Sequence, residues 1–298
     1  METVLIAHDK RNNCDQQEPC VAALGFFDGV HIGHQTVIEK AKTIAERKKV
    51  KLAVMTFFPH PKEVLSGGKN PVQYLTPLSL KKEKFEQLGV DILYVVRFDL
   101  MFAALSPQQF VNDYLLALNV KHVVAGFDFT YGCRGEGNMK TIKDHGIGQF
   151  GVTTVSKVNE ANEKISSTLI REMLGAGDVD NIPNYLGTFY ETRGKIRSIH
   201  SKGRTEDQSK AIVKIDPHFT LPKPGVYETE AIVNDQRYKS VSYIRANHKY
   251  TGEIEVEILK TLKQHKEIQL KWIRRLHEDQ GQVYMEEIIP AFSRVSVI

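Results

Sequence analysis

His31 and His34 stand three residues apart in the stretch Gly25-Phe26-Phe27-Asp28-Gly29-Val30-His31-Ile32-Gly33-His34. One helical turn between them places both imidazoles on the same side. Glycines at 25, 29 and 33 let the backbone approach a ligand closely, and a helix opening near Gly33 points free N–H groups outward. These features suit phosphate. The chemistry they fit is nucleotidyl transfer, which holds a triphosphate in line with an attacking oxygen and neutralises the developing charge. Paired imidazoles can donate hydrogen bonds to phosphate oxygens during such a step. A surface or helix-capping role is the plainer reading of either histidine alone. The glycine-spaced turn after a strand favours the chemical one.

A second stretch of this kind is Ile165-Ser166-Ser167-Thr168-Leu169-Ile170-Arg171. Ser167 and Thr168 fall where a helix N-terminus is capped. Arg171 lies one turn further on, where its guanidinium can reach the same anion. Taken alone, this stretch reads equally well as a plain cap followed by a solvated arginine.

The elements that must position these residues alternate strand and helix over residues 1–186. Val21 to Leu24 is a short apolar strand ending at Gly25. Gln35 to Lys49 has helical periodicity, with Val37, Ile38, Ala41, Ile44 and Ala45 on one face. Lys51 to Phe58, Asp91 to Phe98, Lys121 to Phe129 and Val152 to Val158 read as further strands. Thr76-Pro77 reads as a cap and first-turn proline opening a helix that ends at Gly89, and Ser106-Pro107 opens another to about Leu118. Such alternation implies an α/β, Rossmann-like domain with a parallel sheet covered on both faces. Ligands bind beyond the carboxyl ends of such strands. The turns after Leu24, Phe58 and Phe129 share that edge.

From Gly187 to Ile298 the pattern changes. Thr192 to Ile199, Ala211 to Ile215, Gly225 to Val233, Tyr238 to Ile244, Ile254 to Leu259 and Ile268 to Trp272 read as short strands joined by polar turns. A small antiparallel β-barrel or sandwich is expected there, with a boundary near 186/187, after Gly175-Ala176-Gly177 and Pro183.

Composition agrees with two globular domains: 298 residues, 41% hydrophobic and 26% charged. No apolar run reaches membrane-spanning length, so no membrane partner is expected. Met1 to Lys10 carries His8, Asp9 and Lys10 where a signal peptide would need its apolar region, and a cytoplasmic location is expected. Three cysteines, Cys14, Cys20 and Cys133, make neither a disulfide framework nor a zinc site. The net charge of +4 slightly favours anionic ligands. The basic run Arg47-Lys48-Lys49-Val50-Lys51 reads as complementing a helix C-terminus rather than as a nucleic-acid patch.

Four separated segments, Gly25 to His34, Thr56-Phe57-Phe58-Pro59-His60-Pro61, Gly126-Phe127-Asp128-Phe129-Thr130-Tyr131-Gly132 and Ile165 to Arg171, resemble in order and spacing the amino-terminal module of bacterial bifunctional riboflavin kinase/FAD synthetases. The resemblance covers residues 1–186. It implies FMN plus ATP giving FAD and pyrophosphate, with magnesium (Mg2+) accompanying ATP; it assigns no metal ligands. By motif, His31 and His34 look like the ATP phosphate contacts, and Ser167, Thr168 and Arg171 like the triphosphate clamp. Gly25, Phe26, Asp28, Gly33 and Asp128 would border the nucleotide. Pro59, His60, Pro61, Phe129 and Tyr131 would serve the flavin, whose planar surface suits proline and aromatic faces. Strand core is the competing reading of Phe57, Phe58 and Phe129. Thr130 stands where the family often has arginine.

In the family the second module, here residues 187–298, is a riboflavin kinase barrel. Gly187, the Gly203-Arg204-Thr205 turn, Pro224-Gly225-Val226-Tyr227 and a helix starting at Ile273-Arg274-Arg275 resemble its landmarks. Its phosphate and magnesium segment, Pro-Thr-Ala-Asn, is replaced by Ser209-Lys210-Ala211-Ile212. Lysine and isoleucine supply none of the oxygen ligands that magnesium wants. Glu255 can still present the carboxylate expected of the kinase's base, though alternating acids are also a common solvent face. Lys260-Thr261 replaces the usual Asp-Phe. The expectation is a single-activity FAD synthetase with a degenerate kinase barrel. Alternatives are the bifunctional enzyme, a nucleotidyltransferase for another phosphorylated acceptor, and a non-catalytic flavin-responsive RNA-binding regulator. The last would use Lys195, Arg197, Lys202, Arg204 and Lys210, but no aromatic-interleaved motif supports it. Oligomeric state is left open.

Overall fold

The computed structural model describes residues 1–8, 18–69, 71–160, 163–200, 209–245, 252–258 and 267–277. Contacts divide the chain into two compact units, Met1–Ser166 and Ser167–Ile298. This division falls ahead of the boundary read near 186/187, because two helices of the expected first domain group with the barrel.

In the first unit the elements run β1 (Glu2–Ile6), β2 (Cys20–Leu24), α1 (Ile32–Lys48), β3 (Lys51–Phe58), α2 (Pro61–Leu65), α3 (Leu78–Gln87), β4 (Ile92–Arg97), α4 (Leu100–Ala103) and α5 (Pro107–Phe110). A π-helical segment Val111–Leu116 follows, then β5 (Val120–Gly126), β6 (Thr130–Tyr131), β7 (Gly137–Asn138), α6 (Ile142–His145), β8 (Gly151–Val155) and the two-residue strands β9 (Asn159–Glu160) and β10 (Glu163–Lys164). Six strands form one sheet in the order β1-β4-β3-β2-β5-β8. Every pairing in it is parallel.

Alternate residues of the central strands feed the two faces of the sheet. Val21, Ala23, Leu52 and Val54 pack with Val37, Ile38 and Ala41 of α1 and Phe85 of α3. Ala22, Leu24, Ala53 and Met55 face the opposite way, toward Phe102, Phe110 and Tyr114. The α1 stripe read from periodicity is the buried stripe, and Arg47 and Lys48 occupy the last turn.

Two local expectations are corrected. Thr76 does not cap α3; Pro77 is the cap residue and makes no side-chain cap bond, while the Thr76 N–H is taken by Asp28. The helix after Ser106 does not continue to Leu118 as α-helix but passes into the π-helical segment. The edge strand β1 was not read from the sequence. Only Val4 and Ile6 of this short strand face the core, and Leu5 is exposed.

The second unit contains α7 (Ser167–Ala176), α8 (Pro183–Leu186) and six strands: β11 (Tyr190–His200), β12 (Ser209–Ile215), β13 (Gly225–Val233), β14 (Gln236–Ile244), β15 (Glu253–Ile258) and β16 (Glu267–His277). They close into an antiparallel barrel, β11-β12-β15-β14-β13-β16. The six expected strands are present. The helix start expected at Ile273-Arg274-Arg275 is instead strand, because β16 must pair with both β11 and β13 to close the barrel. Trp272 is fully buried there and donates from Nε1 to Thr192 Oγ1 at 3.1 Å. The expected carboxyl-terminal helix beyond residue 277, the Gly203-Arg204-Thr205 turn, Lys202, Lys260-Thr261 and Cys14 lie outside the described residues. No helix among the described residues is long and apolar enough to cross a membrane.

Candidate active site

Strand order brings β3, β2 and β5 side by side, so the turns that leave their carboxyl ends are neighbours. The turn after β2 carries the histidines. Its backbone takes positive φ at Phe27 (54°), Gly29 (89°) and Val30 (46°). That conformation is costly for a β-branched residue, and it is held by burial of the Phe27 and Val30 side chains. His31 is the N-cap of α1: its Nδ1 accepts the His34 N–H at 3.2 Å. The two imidazoles stack with centroids 3.5 Å apart. Glycine at 33 permits this, since a Cβ there would stand 3.2 Å from the His31 ring.

Burial is the main cause that drives the His31 pKa down, from 6.5 to about 4. Asp28 and Asp128 oppose that shift and Lys164 reinforces it. His34 is held well below the usual histidine range, first by burial, then by His31 and Lys81. Both rings are therefore neutral near pH 7. The His34 Nδ1 is buried and has no hydrogen-bond partner.

Among the residues expected to border ATP, Gly25, Phe26 and Gly33 lie on this turn. The Phe26 carbonyl accepts from Thr56 Oγ1 at 2.9 Å and Lys81 Nζ at 2.7 Å. Asp28 is placed differently. It is 2% exposed, and its carboxylate accepts the N–H groups of Leu75 (3.1 Å) and Thr76 (2.9 Å). It ties the turn to the start of α3 rather than facing a ligand. Asp128, after β5, is exposed and pairs with Lys164 Nζ at 2.6 Å. That ammonium also lies 4.8 Å from the centre of the Phe127 ring.

On the flavin side, Pro59, His60 and Pro61 follow β3. His60 caps α2 by accepting the Lys62 N–H at 3.0 Å, and its ring meets Phe26 edge-on at 4.5 Å. An open cleft of ≈ 580 Å³ adjoins Pro59, lined also by Val64, Asp99, Leu100 and Met101. Leu100 and Met101 are 64% and 61% exposed. Sequence reading missed this pair; their position just after β4, the neighbour of β3, was the available signal. Phe129 is half-buried beside Tyr131, with centroids 6.2 Å apart. Tyr131 is a core residue, 4% exposed, with its hydroxyl 2.7 Å from His145 Nδ1. Burial raises its pKa. It has no open face for a flavin and supports Phe129 instead.

Ser167 and Thr168 open α7 in the second unit, with Thr168 exposed. Arg171 Nη1 donates to Ser167 O at 3.3 Å. In the barrel, Lys210 of β12 is engaged by acids, 2.6 Å from Glu255 and 3.9 Å from Glu257. Arg245 stands 2.9 Å from the other Glu255 oxygen. Tyr243 donates to Glu257 at 3.1 Å, and burial with Glu257 and Glu255 raises its pKa.

A doubly covered parallel sheet with a stacked-histidine turn at its carboxyl edge, joined to a closed six-stranded barrel, defines a Rossmann-like nucleotidyltransferase with a riboflavin kinase-type second domain. Residues 13–169 match the FAD synthetase family and residues 186–294 the riboflavin kinase family. The bifunctional riboflavin kinase/FMN adenylyltransferase of Bacillus subtilis (strain 168) is 46% identical over 244 residues, 82% of this chain and 77% of that protein. Its Listeria monocytogenes counterpart is 45% identical over 261 residues, 85% and 82% of the two chains. A Listeria monocytogenes protein named FAD synthetase is 31% identical over 216 residues, 72% and 82%. A Streptococcus pneumoniae structure described as a macrolide-efflux protein superposes with TM-score 0.83 at 24% identity, covering 98% of this chain and 97% of that one, and so shares the fold. The chain belongs to the bifunctional riboflavin kinase/FMN adenylyltransferase family, and its enzyme class is FMN adenylyltransferase: ATP and FMN yield FAD and pyrophosphate.

Proposed function

We propose that the His31–His34 turn is where the chain transfers the adenylyl group from ATP to FMN, and that the barrel carries no riboflavin kinase activity. Two stacked neutral imidazoles at a helix N-terminus carry the first part. Helix N–H groups and imidazole N–H groups favour phosphate oxygens without themselves bearing a charge. The unpaired His34 Nδ1 supports a ligand there, since buried polar atoms are rarely left without a partner. Phe26, Gly25, Gly33 and Asp128 border ATP in this reading. Ser167, Thr168 and Arg171 are assigned to the triphosphate on their motif and on the start of α7. The isoalloxazine ring takes the cleft beside Pro59, with Pro61, His60 and Phe129 near it. Magnesium enters with ATP as its substrate complex. No group of three or more His, Cys, Asp or Glu that could hold a metal occurs among the described residues. Magnesium bound mainly through substrate phosphates and water fits that.

The loss of kinase activity rests on Lys210. It stands where the family pattern has the threonine of its metal and phosphate segment, and its ammonium pairs with Glu255, the carboxylate expected of the base. Arg245 holds the same carboxylate from the other side. A magnesium ion would have to displace bound cations and would find lysine and isoleucine in place of oxygen donors. The bifunctional reading is favoured by the match of residues 186–294 to the riboflavin kinase family and by the names of the 45–46% identical relatives. One experiment separates the two: purified protein with magnesium and ATP, given FMN or riboflavin, with products resolved by chromatography. FAD from FMN and no FMN from riboflavin supports the proposal. FMN formed from riboflavin at a rate comparable to FAD formation overturns its second half.

A further inference from the structure

The turn that carries the histidines rests on α3 and the residues leading into it. Asp28 accepts the N–H groups of Leu75 and Thr76, and the Phe27 ring packs edge-on against Phe85 at 5.8 Å. Between these two attachments stands Lys81. The residue is 3% exposed, its Nζ donates to the Phe26 carbonyl at 2.7 Å, and it lies 4.1 Å from the centre of the Phe26 ring.

A lysine is an expensive choice for this place. Taking an ammonium out of water costs far more than burying an apolar chain of the same length, and replacing buried charges with hydrophobic groups is often neutral or stabilising. The Phe26 carbonyl does not need the lysine to be satisfied, because Thr56 Oγ1 also donates to it. The cation–π contact with Phe26 offsets only part of the cost. What an ammonium supplies here and a methionine would not is a fixed positive charge beneath a turn shaped for a polyanion.

We propose that Lys81 is a positioning residue for adenylyl transfer: from beneath the turn it fixes the Phe26 backbone and ring and sets a buried positive charge under the His31–His34 pair. The inference rests on the reading of that turn as the nucleotide site. The surrounding charges are consistent with it. His34 feels His31 from its own turn and Lys81 from α3, and both oppose its protonation along with burial. His31 feels Asp28, Asp128 and Lys164. Lys81 thus keeps His34 neutral while adding positive potential to the site, a combination that a protonated His34 would not reproduce.

The test uses Lys81→Met, Lys81→Gln and Lys81→Arg in the full chain, with kcat and KM for FMN and magnesium–ATP, the pH profile of kcat, and the thermal midpoint. Methionine removes charge and hydrogen bond, glutamine removes the charge alone, and arginine keeps the charge. Lys81→Met is expected to fold with an unchanged or raised midpoint and to lose roughly 10- to 100-fold in kcat. Its acid limb should move to higher pH, because His34 loses a neighbour that opposes its protonation. Lys81→Gln should behave likewise, and Lys81→Arg should recover part of the rate. If Lys81→Met does not fold, Lys81→Gln carries the same comparison. Near-normal kcat with an unmoved acid limb in a folded neutral variant overturns the proposal. So does a rate loss that only follows a fallen thermal midpoint. Parallel assay of His31→Asn keeps the two readings apart: near-normal turnover there refutes the nucleotide site itself, whatever Lys81 does.

Discussion

The ring planes of His31 and His34 lie 16° from parallel at 3.5 Å, and the His34 N–H donates to His31 Nδ1 at 3.2 Å. One nitrogen of His31 is thereby committed as an acceptor. In a neutral imidazole the proton must then sit on Nε2, which is left to donate. His31 therefore both starts the helix and presents a fixed donor, so capping and catalytic readings of this residue do not compete. The two roles separate by substitution. His31→Asn, a good capping residue, should keep the thermal midpoint near that of the parent while FAD formation falls about 100- to 1000-fold. His31→Ala should lose the same activity and about 1 kcal/mol of stability besides. Steady-state rates and thermal melts on both variants check this.

Acid should destabilise the first unit earlier than its carboxylates alone would. The His31 pKa is lowered from 6.5 to about 4, so between those values the unfolded chain binds a proton that the folded chain refuses. Stability then falls as pH drops through this window, by roughly 3 kcal/mol from His31. His34 acts in the same direction. Urea denaturation at pH 7, 6, 5 and 4.5 should show the loss, and a His31→Asn, His34→Gln double variant should show a flatter profile.

Asp28 is expected to matter for the fold of the turn more than for contact with ATP. Asp28→Ala strands two buried N–H donors, Leu75 and Thr76. The cost is about 2–4 kcal/mol. Denaturant midpoints should drop accordingly. Any rise in the KM for ATP should be recovered when the protein is assayed well below its unfolding transition.

Tyr131→Phe removes a hydroxyl bonded to His145 and leaves the packed ring in place. The expected result is a loss of about 1 kcal/mol in stability with the KM for FMN unchanged. Leu100→Ala or Met101→Ala, at the cleft, should instead raise the KM for FMN with little effect on the melt, because both side chains are exposed.

Much of the fold was legible in the residues. The stripe Val37, Ile38, Ala41, Ile44 and Ala45 announces α1 because helical period and burial coincide there. The central strands of the first unit and the six of the barrel stand out for the same reason, with period two or continuous apolar runs. The turn before α1 was readable because glycine spacing and a following helix are local features. The start of α3 and the helix start at Ile273 were misread where a distant partner decides: Asp28 takes the Thr76 N–H, and two flanking strands hold Ile273 to Arg275 extended.

By itself, then, the sequence determined the backbone types, the glycine-spaced turn with its two histidines, and the departure of Ser209 to Ile212 from the kinase pattern. Tertiary structure alone decided which side chains meet. The β3-β2-β5 neighbourhood gathers three turns at one edge, Tyr131 is drawn into the core, Lys81 is placed beneath Phe26, and the β12–β15 pairing sets Lys210 against Glu255 and Glu257. Local spacing sets φ and ψ within a few residues, whereas these contacts span tens of residues and exist only once the sheet order and barrel closure are in place.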